Sequence, residues 1–86
     1  MKKTLQIGKM YKTPWKVAAY GDMHYNDRVD LADGAYVVLL EITKVQREAY
    51  TRYEFYIFKI LTGDGDVRYL ECTQAGIDYW KRCQLS

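Results

Sequence analysis

Two long runs of β-preferring residues limit what this chain can fold into. Residues 35–45 read AYVVLLEITKV and residues 52–62 read RYEFYIFKILT. Val, Ile, Tyr, Phe and Thr favour extended backbone over helix, and no helix cap flanks the first run. A third run of this kind, residues 67–72, begins only four residues after the second. The sequence therefore predicts an antiparallel sheet at the centre of the fold.

The four residues between the second and third runs are Gly63, Asp64, Gly65 and Asp66. An Asp-Gly pair between two strands is a strong hairpin signal, because glycine adopts positive φ at little cost. We expect Asp64 and Gly65 to form a two-residue loop. That loop fixes three facing pairs, which are Gly63 with Asp66, Ile60 with Tyr69 and Phe58 with Glu71.

The ends of the chain carry shorter patterns. Residues 4–11 and 15–19 alternate as strands do, with Pro14 interrupting them, and residues 46–51 form a polar connection. Residues 77–85 place apolar side chains at odd positions, which favours a last strand. A helix that begins after an N-cap at Thr73 is the alternative, with Ile77 and Trp80 three residues apart on one face.

Composition restricts the class of protein. Eighty-six residues make one small domain, residues 1–86. The net charge of +2 is too mild to indicate nucleic acid by itself, and no segment approaches the ~20 apolar residues of a membrane helix. Residues 1–20 contain no secretory apolar run, so we expect a cytoplasmic protein without membrane attachment, with Cys72 and Cys83 as free thiols.

The order of these elements resembles the SH3-like barrels over nearly the whole chain. Residues 12–34 correspond to the long loop after the first strand, residues 63–66 to the tight distal hairpin, and residues 73–76 to a single helical turn. The resemblance implies an all-β fold, a small SH3-like barrel of about five to six antiparallel strands with at most one short helical turn.

The chain departs from true SH3 domains at the residues that bind Pro-rich peptides. The first strand reads LQIGKMYKT instead of an ALYDY-like segment, and the run at residues 52–62 opens with Tyr53, Phe55 and Tyr56 instead of a tryptophan pair. The Pro-rich ligand is therefore not implied. Bacterial SH3-like, Tudor-like and KOW-like domains have similar shapes and other ligands. The compact, Lys- and Tyr-rich chain also resembles small accessory proteins of large tailed phages, which implies a viral protein that modulates a host protein.

The sequence lacks the residue sets that catalytic and metal sites usually need. His24 is the only histidine, and with Cys72 and Cys83 it does not make the four closely spaced ligands of a zinc site. The aspartates of residues 20–34 do not have the alternating spacing of a calcium loop, so Asx turns explain them better. We therefore expect no catalytic residues, no metal and no cofactor.

Residues 20–34 form the longest irregular segment, and they carry the most functional pattern. Large aromatic residues are not needed in a loop for folding, whereas Tyr, Trp, Met and Arg are enriched in the centres of protein interfaces. We expect this loop and the flanking aromatics to bind a protein partner. The predicted contact residues are Trp15, Tyr20, Met23, His24, Tyr25 and Arg28. The alternative is that Tyr20 and Tyr25 fold back and cover one end of the barrel.

Nucleic-acid binding is the second functional hypothesis. Basic residues beside aromatic ones can form a stacking platform for bases. The candidates are Lys9, Lys12, Lys16, Arg52 and Arg68. For the oligomeric state we expect a monomer, or a homodimer that pairs through an open edge such as residues 4–11.

Overall fold

The computed structural model describes residues 4–46 and 54–85. Seven strands and one helix lie in these two ranges, and most of their residues are in strands. The strands are β1 Met10–Lys12, β2 Val17–Ala19, β3 Val29–Leu31, β4 Tyr36–Gln46, β5 Glu54–Thr62, β6 Val67–Thr73 and β7 Gln84–Leu85. The helix, α1, spans Gln74–Arg82 and lies between β6 and β7.

Five of the strands form one antiparallel sheet in the order β6-β5-β4-β1-β7. Strands β2 and β3 pair with each other as a separate antiparallel hairpin. The predicted all-β fold with a central antiparallel sheet is confirmed. The five-stranded sheet is not closed by hydrogen bonds, and its arrangement is compatible with a small SH3-like fold.

The core lies between one face of the sheet, the β2–β3 hairpin and the helix. Alternation along the strands places Phe58 and Ile60 of β5 on this face, and both are fully buried. Val17 of β2 covers them from the hairpin side, and Trp80 covers them from the helix. The Trp80 ring is 2% exposed and contacts the Phe58 ring edge-on at 5.4 Å between centroids.

The C-terminal segment is where the favoured sequence interpretation is wrong. Residues 77–82 are helical, and only Gln84–Leu85 form the last strand. The alternative is confirmed, because the Thr73 hydroxyl accepts a hydrogen bond from the Gly76 amide at 3.1 Å and begins the helix. The predicted single helical turn is thus a nine-residue helix. The burial of Trp80 against Phe58 stabilises a helix in this segment over the strand that a period of two predicts.

The predicted first strand over residues 4–11 is also shorter in the structure. Gly8 has a φ of 86° and donates its amide to the Leu39 carbonyl at 2.7 Å, which interrupts the alternation. Only Met10–Lys12 are a strand, and β1 pairs with β4 on one side and β7 on the other. Strand β1 therefore does not offer the open edge that dimer pairing through residues 4–11 requires.

The predicted hairpin register is wrong by one residue. Ile60 faces Arg68 and Phe58 faces Leu70. The loop has three residues, because the Gly65 amide donates to the Thr62 carbonyl and the Thr62 amide donates to the Asp66 carbonyl. Gly65 has a φ of 84°, the left-handed conformation that ends a three-residue hairpin loop. A one-residue shift moves each β6 side chain to the opposite face, so Leu70 is buried and Tyr69 points outward.

Replacing Gly65 with alanine should lower the free energy of unfolding by about 1–2 kcal/mol, because a Cβ disfavours the left-handed backbone. Gly63→Ala is the matched control, since Gly63 lies in the same loop without a positive φ and with open space around it. Urea unfolding of both variants measures the difference. Equal losses in the two variants would contradict the assigned turn.

Replacing Thr73 with alanine should cost about 1 kcal/mol, because the helix loses the acceptor for its Gly76 amide. Thr4→Ala, at an exposed threonine outside the strands and the helix, is the control and should leave stability unchanged. Thermal unfolding followed by far-ultraviolet circular dichroism is the measurement. A neutral Thr73→Ala variant would argue against this helix start.

Candidate functional site

Trp15 lies just before β2 and keeps 42% of its surface exposed. Its ring contacts Tyr79 of the helix edge-on, with 5.4 Å between the ring centroids. The Arg82 guanidinium lies 5.7 Å from the centre of the Tyr79 ring, within the range of a cation–π contact. Tyr79 itself is 52% exposed. Trp15 and Tyr79 therefore form an aromatic pair that these contacts hold in place and that remains about half exposed to solvent.

Tyr20 joins the β2–β3 hairpin to the edge of the main sheet. Its backbone amide donates to the Tyr69 carbonyl at 2.7 Å, and the Tyr69 amide donates back at 2.8 Å. This one pair is an isolated antiparallel bridge between the end of β2 and β6. Facing residues of an antiparallel pair share a face, so the Tyr20 side chain lies on the same outer face as Tyr69.

Tyr25 folds back from the loop onto Tyr20 and β6. The two tyrosine rings meet edge-on at 5.0 Å, and the Tyr25 hydroxyl donates to the Glu71 Oε2 at 3.1 Å. This part of the loop lies over Ile57, which is on the outer face of β5 and only 8% exposed. The expectation that Tyr20 and Tyr25 fold back thus describes part of their role. Even so, Tyr25 stays 39% exposed and Met23 beside it 41%.

The tip of the loop is ordered by the Asp22 carboxylate. Its Oδ1 accepts from the His24 and Asn26 amides at 2.8 and 3.2 Å, and its Oδ2 accepts from the Asn26 side chain at 2.9 Å. The Asn26 side chain, followed by the two backbone amides, lowers the pKa of Asp22 from its ordinary value. Asp22 therefore serves as an Asx-turn acceptor.

Arg68 fixes the far end of the loop to β6. Its Nη1 donates to the Asp27 carbonyl oxygen at 2.7 Å and to the Asp27 carboxylate at 3.1 Å, and its Nη2 lies 3.9 Å from Asp66. Only 13% of the Arg68 side chain is exposed. The guanidinium is thus committed to holding the loop, although the sequence suggested a role in nucleic-acid contact.

Of the other predicted basic residues, the structure gives contacts for Lys16 and Lys12, and these contacts are with different parts of the chain. Lys16 pairs with Asp30 at 4.0 Å, and Arg28 pairs with the same aspartate at 3.1 Å. Lys12 lies over the exposed ring of Tyr36 on the outer face of the sheet. Lys9, next to β1, is exposed, and Arg52 lies outside the described residues.

Two spaces adjoin Tyr20 and Glu71. The first lies under the loop and holds only about 10 Å³, about the size of one water, so the loop is closely packed on β6. The second is an open groove of about 250 Å³ between β2 and β6. It is lined by Trp15, Lys16, Val17, Ala18, Tyr20 and Glu71. Its volume lies slightly below the range of about 300–1,000 Å³ that is usual for small-molecule pockets.

The sequence analysis missed Tyr79 and Glu71. Tyr79 sits on an odd position that the strand interpretation pointed into the core, whereas the helix turns it outward. Glu71 was assigned to face Phe58, and the corrected register places it on the outer face beside Tyr25. A helix periodicity fitted to Ile77 and Trp80 would have placed Tyr79 on the exposed side.

The two residues considered for catalysis are a buried cysteine and an exposed histidine. Cys72 is 4% exposed, and burial raises the pKa of its thiol to about 12. His24 is exposed at the loop tip. Across residues 4–46 and 54–85 no group of three metal-ligating side chains could hold a metal ion. In the same two ranges no helix has the length and apolar character to cross a membrane.

Comparison with known proteins adds no family to this description. No family model matches the chain, and neither the curated proteins nor the solved structures contain a significant match.

The two cysteines should differ in reactivity. At pH 8 we expect iodoacetamide to modify Cys83, which is half-buried, and to leave Cys72 unmodified, because a buried thiol with a pKa of about 12 forms almost no thiolate. Mass spectrometry of the native protein measures both sites, and addition of 6 M guanidinium as a control should make both react. Equal modification of both cysteines in the native protein would contradict the buried position.

Proposed function

We propose that the chain is a non-catalytic, SH3-like interaction module that binds a protein partner through its aromatic surface. The aromatic surface consists of Trp15, Tyr20, Met23, Tyr25 and Tyr79. The observation that supports this most is the state of these side chains. Ring contacts hold Trp15 against Tyr79 and Tyr20 against Tyr25, and yet Trp15, Met23, Tyr25 and Tyr79 expose about two fifths to one half of their area.

Rigid, half-exposed aromatic side chains are suited to act as anchors. Tyr and Trp offer large contact areas at a low cost in conformational entropy, and a few such residues usually dominate the binding free energy. In this protein the edge-on contacts with Tyr79 and Tyr20 already limit the motion of Trp15 and Tyr25. Binding would therefore lose little further freedom at these two positions.

The charges beside the aromatic surface favour a protein over a nucleic acid. Glu71 and Asp22 line the spaces next to Tyr20, Arg28 pairs with Asp30 at 3.1 Å, and Lys16 lies 4.0 Å from the same carboxylate, so acidic and basic groups alternate here. A phosphate backbone needs unpaired basic groups that can replace its counterions. At the predicted basic site, Arg68 is also engaged, by Asp27. These ion pairs leave the surface with a mixed charge.

Replacing Trp15 or Tyr25 with alanine should weaken partner binding by about thirtyfold or more, equivalent to about 2 kcal/mol for an anchor residue. The assay is affinity capture with the tagged full chain, quantified by mass spectrometry with and without nuclease and over a salt series. Binding through aromatic anchors should persist after nuclease and fall little with salt, whereas nucleic-acid binding falls steeply.

Tyr36→Ala is the matched control. Tyr36 is a tyrosine of similar exposure, at 54%, outside the aromatic surface and beside Lys12. It should retain the partner, and thermal unfolding should confirm that all three variants fold. Loss of the partner in Tyr36→Ala alone, or loss of fold in Trp15→Ala and Tyr25→Ala, would refute the proposal.

A further inference from the structure

The outer face of the main sheet carries a row of apolar side chains that crosses all five strands. Each member faces the next across a strand pair, in the order Leu85, Met10, Val38, Leu61, Val67. Facing residues share a face, and the adjacent Tyr11, Val37 and Ile60 are buried in the core, so the row points away from it. We call these five residues the outer row. Four strand spacings make it about 20 Å long.

Strand β4 is apolar on both of its faces where the outer row crosses it. Val37 and Leu39 point into the core and are each 2% exposed, while Val38 between them belongs to the outer row. A strand with apolar residues on both faces is typical of a sheet that is covered on both sides. Around the outer row this cover is incomplete, since Met10 is 43% exposed and Val67 is 44% exposed.

Charged residues lie on both sides of the outer row. On one side, Lys12 of β1 lies over the Tyr36 ring, and Asp64 is exposed in the turn between β5 and β6. On the other side, Glu41 of β4 faces Lys59 of β5, which is two positions from Leu61 and therefore on the same outer face. None of these four charged groups forms an ion pair with another residue of the described ranges.

A half-turn about an axis along the outer row would bring these charges together in opposite pairs. The rotation exchanges the two sides of the row and keeps the position of each strand along it. Lys12 of one copy then approaches Glu41 of the other, and Lys59 approaches the turn that holds Asp64. Each contact occurs twice, as in any isologous interface, and each residue of the row meets its own equivalent. The outer face is thus complementary to itself in charge and in apolar pattern.

From these observations we propose that the outer row is the contact surface of a homodimer, in which two sheets pack face to face about this axis. Packed sheets lie about 10 Å apart, with their side chains interdigitating. The loop of the aromatic surface does not obstruct this arrangement. It lies over Ile57, four positions from Leu61, whereas the strands of the second copy end nearer the row, at the turn of residues 63–66. The contact is smaller than a standard interface of about 800 Å² per partner, so the dimer is weak.

Sedimentation equilibrium of the full chain over a hundredfold range of concentration tests the dimer. We expect the average mass to rise from that of one chain toward that of two. Val67→Lys places two lysines against each other on the axis, so it should weaken association at least tenfold. Tyr79→Lys is the matched control, because Tyr79 has a similar exposure of 52% but lies on the helix, away from the outer row. It should leave association unchanged.

Charge reversal tests the arrangement of the two copies. Lys12→Glu and Glu41→Lys each bring like charges together at two symmetric places, and each should weaken the dimer about fivefold. An equimolar mixture of the two variants should regain the association of the unchanged chain, because in the mixed dimer both places hold opposite charges. Thermal unfolding confirms that the variants fold. If Val67→Lys does not fold, the mixture still decides between the outcomes.

Three results would overturn the inference. They are a single-chain mass at every concentration, association of folded Val67→Lys as tight as that of the unchanged chain, and a mixture that associates no better than its two separate variants. A different protein that binds the outer row while the chain itself stays monomeric would also overturn it. Partner capture through the aromatic surface is a separate measurement, and its result does not depend on this one.

Discussion

The fold depends on how an unclosed sheet covers its apolar face, and Trp80 provides the largest part of that cover. The ring is buried between Phe58 and Tyr11, edge-on to both, at 5.4 and 6.5 Å. Truncating a buried tryptophan typically costs about 3–5 kcal/mol, which is a large share of the stability of a domain this small. Because Trp80 must reach this position from the end of β6, the intervening residues form a helix that the Thr73 hydroxyl caps. The same helix turns Tyr79 outward toward Trp15.

A second constraint shapes the proposed binding surface. The β2–β3 hairpin meets the edge of the main sheet at one bridge, Tyr20 with Tyr69, and two polar contacts hold the loop beyond it, Arg68 with Asp27 and Tyr25 with Glu71. These contacts use the aromatic residues of the loop partly for packing and leave the rest of their area exposed. The short bridge also leaves the groove between Ala18 and Glu71. Packing and the proposed recognition therefore involve the same few residues, which fits a domain with a small core.

The sequence determined the strands well where the pattern is long. The runs at 35–45, 52–62 and 67–72 became β4, β5 and β6 within two residues at each end, because β-branched and aromatic residues favour extended backbone locally. It failed on register and on the C-terminal segment. A left-handed Gly65 lengthens the hairpin loop by one residue, and Asp-Gly alone does not distinguish two-residue from three-residue loops. Over 77–82 the apolar positions fit both periods, and only the burial of Trp80 decides between them.

For the candidate site, the sequence by itself placed large aromatic and acidic residues in a loop and before a strand, and thereby identified Trp15, Met23 and Tyr25 as exposed candidates. It could not find Tyr79 and Glu71, nor show that Arg68 is engaged by the loop. Residue types and their alternation are properties of neighbouring positions, and the sequence displays them directly. Which face is covered, which charge is already paired and where two strand edges part depend on contacts between residues far apart in the chain. Only the tertiary structure decided those.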